Sequence, residues 1–433
     1  MKVNLKTLGC RLNEAESEAW AHQFQSAGHT IVRSPIEAEL IILNTCAVTH
    51  EAGRKSRQMI RRLHRGNPEA KLVVSGCYAT LEREQTAAEL GVDLVLSNSD
   101  KDRLFDLIQE TLIPGAMPAA AAEPGEAALF RQGRQRAFIK VQDGCRYRCT
   151  FCVVTLARGE EKSRPPDSII DEINGLHRQG IQEVILTGVH LGGYGADLGI
   201  RLEDLLRRIL DRTEVPRIRL GSLEPWDLPD SFFRLFCDPR LMPHLHLPLQ
   251  SGSDSVLRRM ARRCKTADFM RLADQAQVQI EDLNLSTDII VGFPGESEQE
   301  WQESLSTIEK IGFGQIHIFT YSPRRGTAAA AFPNPVSRAE KKQRSQDLNK
   351  LAARMQDAIF KRYLGRRLPV LCEASPEGQS VGNPTISGYT PNFLRVSLRA
   401  EAGLENTIQP VLLERISAQG GSLEGRVDPS PIS

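Results

Sequence analysis

The chain of 433 residues is 40% hydrophobic and 25% charged, with a formal net charge of +1. That length holds two or three domains with a sizeable core, and so even a charge balance carries no message about nucleic acid, which would have to bind through local patches. No run of about eighteen apolar residues is present, and MKVNLKTLGC lacks the apolar stretch of a secretion signal, so the expectation is a cytoplasmic protein with no membrane contact.

From residue 1 to 112, strand-like KVNLKTLGC, ELIILNTCAV, KLVVSGCYA and DLVLSN alternate with helix-like NEAESEAWAHQFQSAG, GRKSRQMIRRLHR and LEREQTAAELG. This α/β alternation predicts a doubly wound parallel sheet with helices on its faces. Residues 113–135, IPGAMPAAAAEPGEAALFRQGRQ, read as a Pro/Gly/Ala-rich linker. Over residues 136–367 the strands AFIKV, EVILTGV, RIRLGSL, HLHLPLQ, NLSTDIIVGF and QIHIFTYS recur with helical segments between them. This is the rhythm of a (β/α) barrel with six units, and so a partial one. Ser297 and Glu300 form a predicted capping box, and a charged helix trails over residues 337–365. Residues 368–433 change to short strands with turn signals, RLPVLCEA, TISGYTPNFLRVSL, IQPVLLERIS and LEGRV, and predict a small β-barrel.

The nine cysteines fall into groups. In a reducing compartment they read as ligands or core residues, not disulfides. Cys10, Cys46 and Cys77 each end a predicted strand, and a parallel sheet brings the carboxyl ends of its strands to one edge. They are expected to share a metal site, the alternative being three small buried hydrophobes. In DGCRYRCTFC, Cys145, Cys149 and Cys152 follow the first barrel strand. Zinc and ordinary iron–sulfur clusters take four protein ligands, and no histidine lies in the adjacent loop. Three thiolates on a [4Fe–4S] cluster leave one iron open to an amine and a carboxylate, and this spacing is that of radical S-adenosylmethionine (SAM) enzymes. Cys237, Cys264 and Cys372 lack partners by spacing and read as structural.

The words TLGCRLNEAESE, NTCAV, SGCYA, GCRYRCTFCVV, ARGEEKSRP, HLPLQSGSDSVLRRM and DIIVGFPGE, in that order, resemble the methylthiotransferase family of radical SAM enzymes. TLGCRLNEAESE and GVHLGGYG resemble most its threonylcarbamoyladenosine tRNA branch. The resemblance implies a three-cysteine domain, a radical SAM barrel and a TRAM-like tail. It implies SAM and two [4Fe–4S] clusters as cofactors. The cluster on Cys145, Cys149 and Cys152 would cleave SAM to a radical. The cluster on Cys10, Cys46 and Cys77 would carry or donate sulfur, with the methylthio group placed on C2 of the adenine. The partners implied are a tRNA anticodon stem-loop and an electron donor such as flavodoxin or ferredoxin. The alternatives are isopentenyladenosine in tRNA or a ribosomal-protein aspartate as substrate and, more distantly, a zinc-stabilised RNA-binding module.

Six residues at strand ends are expected cofactor contacts: Thr187, Gly188, Glu224, Gln250, Ser251 and Gly292. For each a plain turn, loop or helix-capping role competes. Tyr194 in GVHLGGYG either stacks on the modified base or packs inward, and Phe393 stacks a base or fills the tail barrel. His190, His244 and His246 read as structural. Two basic helices, one with Arg54, Lys55, Arg57, Arg61, Arg62 and Arg65 and one with Arg258, Arg259, Arg262, Arg263 and Lys265, are candidate RNA surfaces or solvated faces.

Overall fold

In the computed structural model, residues 1–89, 91–112, 136–229, 231–373, 385–399 and 403–428 are described. The linker expected over residues 113–135 lies outside them.

The N-terminal domain is a five-stranded sheet, every neighbouring pair parallel. Its order is Thr30–Ile31, Lys2–Thr7, Leu40–Thr45, Lys71–Gly76, Leu94–Val95. The central strand LIILNT is buried at every position, as expected for a strand covered on both faces. The four expected strands are present, with two corrections. KLVVSGCYA stops being a strand at Gly76, whose φ of 103° turns the chain so that Cys77 opens a short helix, Cys77–Leu81. LEREQTAAELG is not one helix, because Glu82 leaves helical geometry between Cys77–Leu81 and Arg83–Ala87. The edge strand Thr30–Ile31 was not expected, two residues being too few to show a period.

The central domain has the six expected strands, Arg136–Lys140, Glu183–Thr187, Arg217–Leu220, His244–His246, Asn284–Val291 and Gln315–Thr320. They lie in chain order as two three-stranded parallel sheets, joined by bridges from Ile218 to Leu241 and from Ser222 to His246. The barrel is open, with Arg136–Lys140 and Gln315–Thr320 as free edges. Alternation along the strands sorts the two faces. Ala137, Ile139, Val184, Leu186, Ile218 and Leu220 pack outward against helices such as Pro166–Arg178 and Leu202–Arg212. The alternate positions, Arg136, Glu183, Arg219, His244, His246, Asp288 and His317, form a polar inner wall. The capping box of Ser297 and Glu300 is present.

Both free edges are covered. Helix Arg11–Ser26 of the N-terminal domain lies on the first strand, where the Phe138 N–H donates to Glu18 Oε2 at 3.3 Å. Helix Arg338–Tyr363 covers the last strand. An unpaired edge invites pairing with other chains, and both coverings remove that hazard. The tail closes into a five-stranded barrel and seals the floor of the half-barrel. Arg217 donates to the carbonyls of Tyr389 at 3.0 Å and Pro369 at 2.6 Å, Arg219 to that of Pro391 at 2.9 Å, and Asn284 Nδ2 to that of Asn392 at 2.9 Å.

On that floor Arg219 and Glu183 form a fully buried two-armed pair at 3.0 and 3.1 Å. Burial raises the Glu183 carboxyl, but Arg219 outweighs it and holds the group down at about 2 from an ordinary 4.5. A depressed carboxylate adds stability above its unfolded value and loses it as pH falls through the folded one. The wild type is therefore expected to lose stability between about pH 4.5 and 2. Arg219→Met is expected to cost about 3–5 kcal/mol at neutral pH, because it strands a buried charge, and to flatten that acid window. Denaturant unfolding at a series of pH values measures both.

Candidate active site

The two cysteine groups occupy the carboxyl ends of their sheets. Cys10 follows the first N-terminal strand and caps helix Arg11–Ser26, while Cys46 and Cys77 follow the third and fourth strands in space. Cys46 lies so close to Gly9 that a Cβ there would meet its Sγ at 2.8 Å, which is why glycine precedes Cys10. Burial lifts the Cys46 thiol to about 11, and the nearness of Cys10 and Cys77 adds to this. In the barrel, Cys145 is raised to about 12 and Cys152 to about 11, by burial first, with the other thiols of the group contributing. Neighbouring thiols add to the burial effect in each set, although neither set brings all three sulfurs within 4.8 Å of one another. Such a set ionises when a metal displaces its protons.

One short helix joins the groups. Val154–Arg158 begins two residues after Cys152 and packs on Cys77–Leu81, with Ala157 embedded in the N-terminal core beside Cys77 and Tyr78. Asn98 Nδ2 donates to the Ala157 carbonyl at 2.7 Å and lies 3.6 Å from Cys77 Sγ. The guanidinium of Arg158, 2% exposed, donates to Glu16 Oε1 at 2.8 Å, Asp143 Oδ1 at 3.0 Å and Asn13 Oδ1 at 2.7 Å. Asn13 in turn donates to the carbonyls of Leu8 and Thr45, beside Cys10 and Cys46. Lys101 and Lys140 complete the charge around Glu16, which their cations and Arg158 hold far below its usual range against the burial that raises it. Residues that follow Cys10 and Cys152 in the chain are thus hydrogen-bonded to each other.

At the mouth, His190 is fully buried and held between Glu161 and Asp227, its Nε2 2.6 Å from Asp227 Oδ2. Burial lowers its pKa, but Asp227, Glu224 and Glu161 together raise it. Tyr147, inside the cysteine loop, donates to Asp227 Oδ1 at 3.0 Å and packs on Trp226 and His190. Arg262 lies over Trp226 and reaches the Pro248 carbonyl at 2.6 Å and Cys149 Sγ at 3.9 Å, and Arg263 covers Tyr147. The sequence reading missed Tyr147, Trp226 and Asp227, which meet only through the fold, although Tyr147 stands inside the cysteine motif.

The six strand-end residues divide. Glu224 lies at the mouth with a buried Oε2 that has no hydrogen-bond partner among the described residues, its carboxyl raised by burial. Gln250 takes φ 73°, and its backbone bonds to Asp288 and Ile290. Thr187 is buried and its carbonyl accepts from Val141 N–H. Gly188 gives room to Gln142, whose Oε1 a Cβ would meet at 2.8 Å and which accepts from His190 N–H. Ser251 is turned into helix packing beside Ser304. Gly292, φ 74°, donates its N–H to Glu296 and lies against Lys341. The tail's Phe393 sits on the lumen floor, stacked on Tyr389 at 4.7 Å with Arg219 4.6 Å from its ring, and so is not free to stack a base. Tyr194 also packs inward: it is 1% exposed and its hydroxyl donates to the Arg164 carbonyl at 2.6 Å. The glycines of its loop make room for His190 and Asp227 instead of a base. His244 is buried with Nε2 2.9 Å from Ser286 Oγ, while its Nδ1 has no hydrogen-bond partner among the described residues. A cleft of about 890 Å³ between helix Arg11–Ser26 and helix Pro166–Arg178 has no cysteine in its wall.

Both basic helices present charge outward, yet partly neutralised. Glu51 pairs with Arg54 and Lys55, Glu89 with Arg61 and Glu300 with Arg259.

Comparison with known proteins agrees with this layout. Residues 2–97 match the family described as uncharacterized protein family UPF0004, and residues 139–308 match the radical SAM superfamily. The threonylcarbamoyladenosine tRNA methylthiotransferase MtaB of Thermotoga maritima is 38% identical over 91% of this chain and 90% of its own length. The protein of the same name from Bacillus subtilis is 33% identical over 96% and 94%. The chain belongs to the radical SAM methylthiotransferase family. A tRNA-2-methylthio-N(6)-dimethylallyladenosine synthase of Staphylococcus haemolyticus is 32% identical over 89% of this chain and 77% of its own. Among solved structures, the radical SAM methyltransferase TsrM of Kitasatospora setae aligns over 76% of this chain and 75% of its own at 14% identity and a TM-score of 0.56, a likeness of fold alone. Methylthiotransferases of this family use SAM and [4Fe–4S] clusters. The donors here fit such groups in their chemistry: six free thiols stand in two sets of three at the carboxyl ends of the two parallel sheets, Cys145 Sγ lies within 4.8 Å of ligand atoms of Glu161 and His190, and the buried Glu224 Oε2 makes no hydrogen bond among the described residues and lies 3.7 Å from His190 Nε2.

Because Tyr194 is core, Tyr194→Ala is expected to cost about 3–5 kcal/mol of stability, as large aromatic deletions do. Tyr194→Phe is expected to cost about 1–3 kcal/mol by stranding the Arg164 carbonyl. Denaturation midpoints check both, and SAM cleavage per folded molecule should be unchanged in Tyr194→Phe.

Proposed function

We propose that this enzyme transfers a methylthio group to C2 of N6-threonylcarbamoyladenosine beside the anticodon of tRNA. The observation that supports the reading is the Arg158 bridge, which ties the cysteine loop of the barrel to Asn13 and Glu16, just after Cys10 in the chain. Cys145, Cys149 and Cys152 would hold the cluster that binds SAM, and Cys10, Cys46 and Cys77 the auxiliary one. When bound, these groups supply the electron, the radical and the sulfur that an unactivated aromatic C–H demands, which acid–base side chains cannot provide.

The chain's own residues orient and shield. Glu224 Oε2 is a ready acceptor for the amine or ribose of SAM, and Gln250 and Gly292 expose backbone at the mouth. Thr187, Gly188 and Ser251 belong to the shell that fixes those positions. His190, held by Glu161 and Asp227, and Tyr147, held by Asp227, stiffen the cysteine loop. Arg62, Arg65, Arg258 and Arg263, which have no carboxylate partner among the described residues, would neutralise RNA phosphates. An electron carrier of the flavodoxin or ferredoxin class completes the reaction in the cytoplasm. No helix among the described residues is long and apolar enough to cross a membrane. A dimethylallyladenosine substrate is the second reading, favoured by the Staphylococcus relative.

Cys149→Ala is expected to abolish 5′-deoxyadenosine production from SAM under reducing, anaerobic conditions, and Cys46→Ala to spare it while methylthiolation stops. Equal loss of cleavage in both folded variants would refute the division of labour. Nucleoside mass spectrometry of tRNA from a deletion strain should show threonylcarbamoyladenosine without its methylthio group. Loss confined to the dimethylallyl nucleoside would decide for the second reading.

A further inference from the structure

Among the described residues the lumen of the half-barrel holds a cation that makes no ion pair. Arg11, the residue after Cys10, sends its guanidinium from the N-terminal domain between two aromatic rings, with Cζ 5.9 Å from the centre of Phe138 and 5.6 Å from that of Phe393. Its arginine neighbours are all satisfied. Arg136 pairs with Glu373, Arg219 with Glu183, and Arg217 donates to two carbonyls. The Arg11 guanidinium makes no ion pair or hydrogen bond among the described residues.

Three groups on the last strands bear on what enters. His246 is engaged, with Nε2 3.3 Å from Asp288 Oδ1 and Nδ1 2.9 Å from Ser286 Oγ. His317 is exposed on the edge strand, packs against the ring of His246, and forms with His246 and the Asp288 carboxylate a group whose ligand atoms lie within 4.8 Å of one another; it makes no hydrogen bond among the described residues. Phe319, two residues on, is 43% exposed. Among the described residues this polar lumen offers the Arg11 guanidinium, the His317 ring and the unpartnered Nδ1 of His244, with Asp288 beside His246 and His317.

The two nucleosides named among the relatives differ in what this lumen can recognise. The threonylcarbamoyl group ends in a carboxylate, and the dimethylallyl group is a hydrocarbon. We propose that Arg11 is the anchor for the threonyl carboxylate, assisted by His317, and thereby sets the preference for that base. The inference rests on the function proposed above. A carboxylate there gives Arg11 the charge-assisted partner it lacks, whereas a hydrocarbon leaves a desolvated cation unpaired.

The test uses the anaerobically reconstituted holoenzyme and three labelled anticodon stem-loops. One carries the threonylcarbamoyl acid, one its neutral methyl ester and one plain adenosine. Wild type is expected to bind the acid about tenfold or more tighter than the ester, the size of a charge-assisted hydrogen bond. Arg11→Gln, with iron and sulfide content checked because Cys10 is adjacent, should bind acid and ester alike with its affinity for plain adenosine unchanged. Arg11→Lys should restore part of the preference. Equal binding of acid and ester by wild type overturns the proposal without recourse to any variant. A preference that survives in Arg11→Gln overturns it too, as does an equal weakening of all three loops, which would assign Arg11 to a phosphate. If instead wild type forms product only on a dimethylallyl stem-loop, the proposed function itself fails, an outcome separate from these.

Discussion

The architecture depends on one buried guanidinium. Arg158 belongs to the barrel but spends its donors on Glu16 and Asn13 of the N-terminal domain as well as on Asp143 of its own loop. A charge this deep is costly unless every donor is met, and once met it tolerates few geometries. The same Asn13 holds the carbonyls beside Cys10 and Cys46, so a shift of Arg158 would be felt in both thiol groups. The domains do not merely touch. Ala157 is part of the N-terminal core, and the interface is continuous with the fold on either side.

The second constraint comes from stopping at six strands. Eight-stranded barrels close on themselves and fill their interior with branched aliphatic residues. Here the sheet stays open, its inner wall is polar, and three other parts of the chain close what the missing strands leave exposed. The N-terminal helix covers one edge, the long trailing helix the other, and the tail barrel the floor. Only the mouth remains, and the cysteine loop, Glu224 and Trp226 gather there.

Much of this was legible in the sequence because strand-forming Val, Ile and Leu runs recur at even spacing and the cysteines stand at their ends. All six barrel strands, the parallel N-terminal sheet and the closed tail are where the pattern puts them. What stayed hidden depends on contacts between distant segments. Nothing local announces that the arginine of ARGEEKSRP pairs with the glutamate of TLGCRLNEAESE across 142 positions. Tyr194 had equal claims as a stacking platform and as core, and only the Arg164 carbonyl at its hydroxyl decides for the core. Short helices were also illegible: Cys77–Leu81 is fixed by the turn at Gly76, where a Cβ would strike the Thr45 carbonyl at 2.3 Å.

The seal on the floor has a bearing on biosynthesis. The strand that carries Arg217 and Arg219 leaves the ribosome well before Pro369, Tyr389 and Pro391, whose carbonyls satisfy them. At ordinary elongation rates the tail follows the trailing helix over roughly several seconds, and during that interval the nascent half-barrel keeps its lower end in water. A chain released early would present this wet, cation-lined opening to the chaperones and proteases that survey unfinished proteins. The half-barrel therefore reaches its closed form only once the last strands are made.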